Sequence, residues 1–194
     1  MRRDRVEVMG RISASVILIV CMAGTARECA MAQAVRVMRQ TVRPENSVSS
    51  LTVMASPAAV NFNLVSGGVA TGSTAVQVTT TWSGSLCLLT CTINMYAYFS
   101  NANAALSSGT DDIPSSEVLG RVTTGSPTTY TAFTQTSPFG GAGASLQLYQ
   151  QSFFLLTGGG SRTDPLNLEI NLSSQKQLPA GTYTGVLYIQ AQSL

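Results

Sequence analysis

An antiparallel, all-β sandwich of about seven to nine strands is the fold that this sequence predicts, and three observations carry that reading. Beyond Leu51, apolar and polar side chains alternate with a period of two, the spacing of a half-buried strand. Turn signals break the alternation at short intervals: Ser56-Pro57, Ser66-Gly67-Gly68, Ser108-Gly109, Ser126-Pro127, Ser137-Pro138, Gly158-Gly159-Gly160 and Pro179-Ala180-Gly181. No stretch after Ser50 carries an apolar stripe at helical spacing.

The first element, residues 1–34, has the three-part pattern of a secretory signal peptide. Arg2, Arg3, Arg5 and Arg11 come first, and an apolar stretch runs from Ile12 to Ala26. That stretch is shorter than the roughly 20 residues a bilayer span needs. Small residues then offer two cleavage sites, Ala30-Met31-Ala32 and Ala32-Gln33-Ala34, of which cleavage after Ala34 is preferred. An uncleaved anchor is the alternative, and Met9 offers a second start. Cys21 follows Val20, a branched residue where lipid-attachment sites carry a small one, so a lipoprotein signal is not expected.

Residues 35–50 are basic, then polar, and contain Pro44. They read as a flexible lead-in or as an extended arm that pairs with another subunit. Residues 51–194 form the expected domain. Leu51, Val53 and Ala55 share a face, as do Val60, Phe62 and Leu64. Val76, Val78, Thr80 and Trp82 follow the same rule, then Ile93, Met95, Ala97 and Phe99. Leu166, Leu168, Ile170 and Leu172 repeat it, and Tyr183, Leu187, Ile189 and Ala191 close the chain. Weaker strands are expected at 117–123, 128–134 and 144–156.

Composition narrows the chemistry. The 194 residues are 44% hydrophobic and only 10% charged. The net charge of +2 comes from the N-terminal part, because eight of the eleven basic residues lie within the first 43 positions. After Ser50 three bases (Arg121, Arg162, Lys176) face five acids (Asp111, Asp112, Glu117, Asp164, Glu169), a balance of −2. No clustered basic face exists for nucleic acid. Histidine is absent, which removes imidazole-dependent nucleophiles and the commonest metal ligand. No enzyme, cofactor or metal site is expected.

Cys87 and Cys91 are the cysteines left after leader removal, and an even pair in an exported chain is most simply a disulfide. The spacing permits it if Leu88-Leu89-Thr90 turn back; two free thiols are the alternative. Asp111-Asp112 with Glu117 suggest either a solvated loop over 107–116 or a calcium site, and the regular ligand spacing of a calcium loop is missing. Tyr96, Tyr98 and Tyr188 alternate outward and form a candidate ligand face, since tyrosines offer large rigid surface to sugars and proteins. Packing beneath a second layer is the other explanation for them. Trp82 is expected in the core, and Gly158–Gly160 as a flexible connection.

Ser56-Pro57-Ala58-Ala59-Val60-Asn61-Phe62, Gly67-Gly68 and Val76-Gln77-Val78 resemble the opening strands of immunoglobulin-like modules in bacterial surface proteins. Leu178-Pro179-Ala180-Gly181-Thr182-Tyr183, continuing to Ile189, resembles their closing hairpin. That ending is similar to the spore-coat-U and fimbrial-subunit group, exported sandwiches assembled on the cell surface. The resemblance covers both ends of the domain and implies an immunoglobulin-like sandwich. The expected function is a non-enzymatic structural or adhesive module, secreted or held in the cell envelope. Its expected partners are copies of itself or other surface proteins, with residues 35–50 as the segment for strand exchange. A glycan- or protein-binding module using the tyrosines is the alternative. No membrane span is expected once the leader is gone.

Overall fold

Alternating runs can hide their apolar side chains only against another sheet, and the chain solves this with two sheets packed face to face. A computed structural model describes residues 13–22, 37–38, 50–83, 90–154, 158–175 and 178–193. In chain order the strands are β1 (Ser13–Met22), β2 (Val37–Met38), β3 (Ser50–Ser56), β4 (Ala59–Phe62), β5 (Val69–Thr71), β6 (Val76–Ser83) and β7 (Thr90–Tyr98). They continue with β8 (Leu106–Ser108), β9 (Asp111–Ile113), β10 (Val118–Val122), β11 (Thr131–Ala132), β12 (Ser145–Phe154), β13 (Gly160–Asn171) and β14 (Thr184–Ser193). A single 3₁₀ turn, Ser115–Glu117, is the only helical element among the described residues.

The larger sheet runs β12-β7-β14-β1-β2, with β4 also beside β1 and the β8–β9 pair beside β14. The smaller sheet runs β11-β10-β13-β6-β3, with β5 also on β13. Every pairing is antiparallel except that of β1 with β4. The all-β sandwich expected from the alternation is therefore the observed architecture. Its strands outnumber the expected seven to nine because several are two or three residues long.

The core lies between the sheets. Leu51, Val53, Val76, Val78, Leu166, Leu168, Ile170, Val118 and Val122 come from the smaller sheet. Ile93, Met95, Ala97, Leu146, Leu148, Leu187, Ile189 and Ala191 face them from the larger one. Thr80 is fully buried on the inner face and donates its hydroxyl proton to the Met95 sulfur at 3.3 Å, which settles a polar group in an apolar layer. Gly120 lets the layers approach: a Cβ there would lie 2.7 Å from Leu146 Cδ2 of the opposite sheet.

Tyr183 precedes β14, and its buried hydroxyl donates to the Pro179 carbonyl at 3.1 Å, four residues upstream. Such a tyrosine corner is a recurring device of Greek-key sandwiches, where it pins the entry into a strand.

Some details depart from expectation. The stretch 107–116 is not an irregular loop. Leu106–Ser108 and Asp111–Ile113 form a hairpin around Gly109, whose φ of 64° suits the turn. Gly160 is not part of a flexible connection but starts β13 opposite Trp82. Trp82 itself is half-buried at the core's margin, tilted against Phe153 with ring centroids 5.7 Å apart. Pro165 sits within β13, and the ladder to β10 starts only at Leu166, one residue beyond the missing N–H.

Candidate functional site

The outer face of the larger sheet carries a row of aromatic rings. Tyr98 of β7 and Tyr188 of β14 are direct cross-strand partners. Their rings stack at 5.3 Å between centroids with 12° between planes. Phe139, from the turn 137–141, lies on the other side of Tyr98 at 6.1 Å and 23°. Tyr96 meets Phe139 edge-on at 6.0 Å. The Ser137 hydroxyl donates to the Phe139 carbonyl at 2.7 Å and so holds that turn. Gly140, at φ 78°, closes it, and a Cβ there would collide with the Tyr98 ring.

The three tyrosines singled out from sequence are thus brought together, with Phe139 as a fourth member. Tyr98 stacks between Tyr188 and Phe139, and Tyr96 meets Phe139 edge-on, so the row acts as a cross-strand ladder that stiffens β7 and β14. Around it stand amides. Gln147 Nε2 is 3.4 Å from both the Asn94 Oδ1 and the Tyr96 hydroxyl, and the Tyr98 hydroxyl donates to Gln190 Oε1 at 3.0 Å. The outer rows of β12, β7 and β14 hold Gln147, Gln150, Asn94, Tyr96, Tyr98, Val186, Tyr188, Gln190 and Gln192, without one ionisable carboxylate, guanidinium or ammonium.

Beside this ladder runs the far edge of β14. One edge pairs with β7 over Tyr188–Ser193. The other pairs with β1 in nine successive positions, from Ser13↔Gln192 to Cys21↔Thr184. Beyond β1 lie β4, parallel, at Ile19↔Ala59 to Met22↔Phe62, and β2 at Ser15↔Met38 and Val16↔Val37. The segment between β14 and β4 is therefore Ser13–Met22, the middle of the apolar stretch in residues 1–34. The residues flanking it inward are core: Leu187, Ile189, Ala191 and Val60 at 0% exposure and Phe62 at 2%.

The acids do not converge. Asp111 and Asp112 lie on β9, and Glu117 accepts from Ser174 Oγ at 2.9 Å and Gln175 Nε2 at 3.0 Å. Glu169 pairs with Thr71 and Leu119 across the smaller sheet. Among the described residues no three His, Cys, Asp or Glu side chains group as metal ligands would.

Asp164 has a different job, one that the sequence did not reveal. It is 1% exposed and accepts from Thr124 Oγ1 at 2.6 Å and from Arg162 Nε at 2.5 Å and Nη2 at 2.6 Å. The Arg162 guanidinium lies 3.9 Å from the Tyr149 ring centroid on the opposite sheet. The hydrogen bond to Asp164 raises the guanidinium's proton affinity above its ordinary value. Burial pushes the Tyr149 hydroxyl up, against the lowering pull of Arg162. The cluster clamps β13, β12 and the turn after β10 together.

Cys87 and Ala34 lie outside the described residues, and Cys91 is placed on β7 opposite Phe153 with its side chain undescribed. The expected disulfide and cleavage point therefore fall outside what the structure describes. Phe139 escaped the sequence reading because it sits in a proline–glycine turn with no periodicity to mark it. No family model, curated protein or solved structure matches this chain.

Proposed function

We propose that the chain is an exported, non-enzymatic structural or adhesive subunit of a cell-surface assembly, and that it joins its neighbour by strand addition beside β14. One observation carries the proposal. The sheet position between β14 and β4 is filled by Ser13–Met22, which belongs to the segment that reads as a signal peptide. Once that segment is cut away, the backbone donors and acceptors along the far edge of β14 lose their partners. Leu187, Ile189, Ala191, Val60 and Phe62, all buried, lie on the two strands that flank that position. An open edge is a template for another strand. Main-chain pairing along its length gives such docking affinity, and alternate side chains give it selectivity.

The site of action is outside the cytoplasm, in the envelope or beyond it. Among the described residues no helix is long and apolar enough to cross a membrane. The chemistry fits a structural role, since among the described residues the one buried carboxylate, Asp164, is held by an arginine and a threonine.

Intact-mass analysis and light scattering of the exported protein test the reading. The expected result is a chain beginning at Val35 that travels in a complex. A product that retains residues 13–22 and behaves as a stable monomer would overturn it.

A further inference from the structure

We infer that Asn171 is the acceptor for an N-linked oligosaccharide, transferred from a lipid-linked donor as the chain leaves the cytoplasm. The inference rests on the export half of the reading above and is independent of strand addition.

The residues around Asn171 carry the signal. The run is Glu169-Ile170-Asn171-Leu172-Ser173. Of the chain's eight asparagines, Asn171 alone has a serine or threonine two positions on, and it alone has an acid two positions before. Asparagine, any residue but proline, then a hydroxyl residue is the acceptor signal for N-glycosylation of exported chains. The bacterial form of the reaction also takes an acid two positions before the asparagine, where Glu169 stands. The transferase grips the hydroxyl and the acid, and the amide nitrogen reacts. Asn171 Oδ1 accepts from the Ser173 N–H at 3.0 Å and from the Ser173 hydroxyl at 2.6 Å. Nδ2 has no hydrogen-bond partner among the described residues.

The fold gives an attached sugar room and a surface to cover. Asn171 is the last residue of β13, on the outward parity that it shares with Glu169, and Ser173 and Ser174 beyond it are exposed. Its cross-strand partner is Val69 of β5, 49% exposed, and Val65, in the turn before β5, is 55% exposed. These are two of the three exposed large hydrophobic side chains among the described residues. A sugar on Asn171 would lie beside Val69, where the C–H face of its ring shields apolar surface from water. In the transfer, Nδ2 bonds to C1 of the donor's first sugar as the C1–O bond to the lipid diphosphate breaks. The diphosphate oxygen leaves with that electron pair, and Nδ2 gives one of its two protons to a base of the transferase. Ile170 and Leu172, on either side of Asn171, are buried, and Glu169–Asn171 pair with β5. The folded run is held in the sheet, so transfer falls after export begins and before β13 closes against β5.

The full chain is produced in a bacterium that carries an acid-requiring oligosaccharide transferase with its lipid diphosphate-linked oligosaccharide, and in the same strain without the transferase. Trypsin cuts after Arg162 and Lys176, and the mass of the peptide 163–176 reports on Asn171 whether or not a variant folds. The processed chain from the first strain is expected to give this peptide heavier by one oligosaccharide, which fragmentation places on Asn171 and not on Asn167. The second strain should give the unmodified peptide. Asn171→Gln, Ser173→Ala and Glu169→Gln should each abolish the heavier peptide, and Ser173→Thr should keep it. Protein folded in the second strain and then mixed with membranes of the first should stay unmodified. A processed wild-type chain that yields only unmodified peptide would overturn the site and leave export standing. A heavier peptide that survives Glu169→Gln would remove that acid from the signal, and ready modification of the folded protein would overturn the timing. A chain held in the cytosol with residues 1–34 attached would overturn the export reading and the site with it.

Discussion

Asp164 is a buried carboxylate that serves as a rivet in the fold. Its oxygens accept from Thr124 and twice from Arg162, which is itself 24% exposed and lies over Tyr149. Breaking a buried pair leaves the surviving charge without compensation, at a typical cost of about 3–5 kcal/mol. Arg162 retains some water contact, so Asp164→Asn is expected to lower unfolding stability by about 3 kcal/mol. Asp112→Asn, at an exposed position, should change it by less than about 0.5 kcal/mol. Denaturant titration of both variants checks this, and similar midpoints would deny Asp164 its role.

Tyr183 makes a second residue-scale prediction. Its phenol is buried, and desolvation, with a smaller contribution from Asp111, raises its pKa above the ordinary 10.0. A folded-state value above the unfolded one means stability that is complete below about pH 10 and is lost as pH rises through the higher folded value. Wild-type protein should therefore lose stability on this account in strong alkali. Tyr183→Phe should start about 1 kcal/mol lower at neutral pH, through loss of the bond to Pro179. It should then fall less steeply above about pH 10. Thermal midpoints from about pH 8 to about pH 12 provide the comparison.

At the scale of elements, legibility follows length and alternation. β6 and β7 are readable because Val76, Val78 and Thr80, or Ile93, Met95 and Ala97, reach the core at every second residue. The same parity assigns Tyr96, Tyr98 and Tyr188 to one outer surface, where Tyr98 stacks on Tyr188 and both Tyr96 and Tyr98 meet Phe139. β5, β8 and β9 span three residues each, too few for a period to show, and their pairing is settled by the neighbours they touch. β1 is hidden for a different reason. A run such as Val16-Ile17-Leu18-Ile19-Val20 is apolar at both parities, so it reads equally as the core of an export signal and as a strand flanked on both edges. Sequence position favours the first reading; register with β14 adds the second. The two are compatible if the segment occupies, in the unprocessed chain, the position that a partner strand takes afterwards.

For the whole molecule, the distribution of charge makes one more prediction. The seven charged residues described beyond Ser50 are Asp111, Asp112, Glu117, Arg121, Arg162, Asp164 and Glu169, and none lies on β14, β7, β12 or β4. Arg162 and Asp164 neutralise each other. The proposed association through the β14 edge would therefore rest on main-chain hydrogen bonds and apolar burial, both short-ranged and nearly indifferent to ionic strength. Raising salt shortens the Debye length from roughly 10 Å at 0.1 M to about 3 Å at 1 M, which weakens charge-steered complexes and leaves this kind alone. The proposed complex is expected to keep its affinity within about threefold across that range. If residues 35–50 were the contact instead, Arg36, Arg39 and Arg43 would make dissociation steeply salt-dependent. Affinity measured at the two ends of the range separates the uncharged edge from the basic arm.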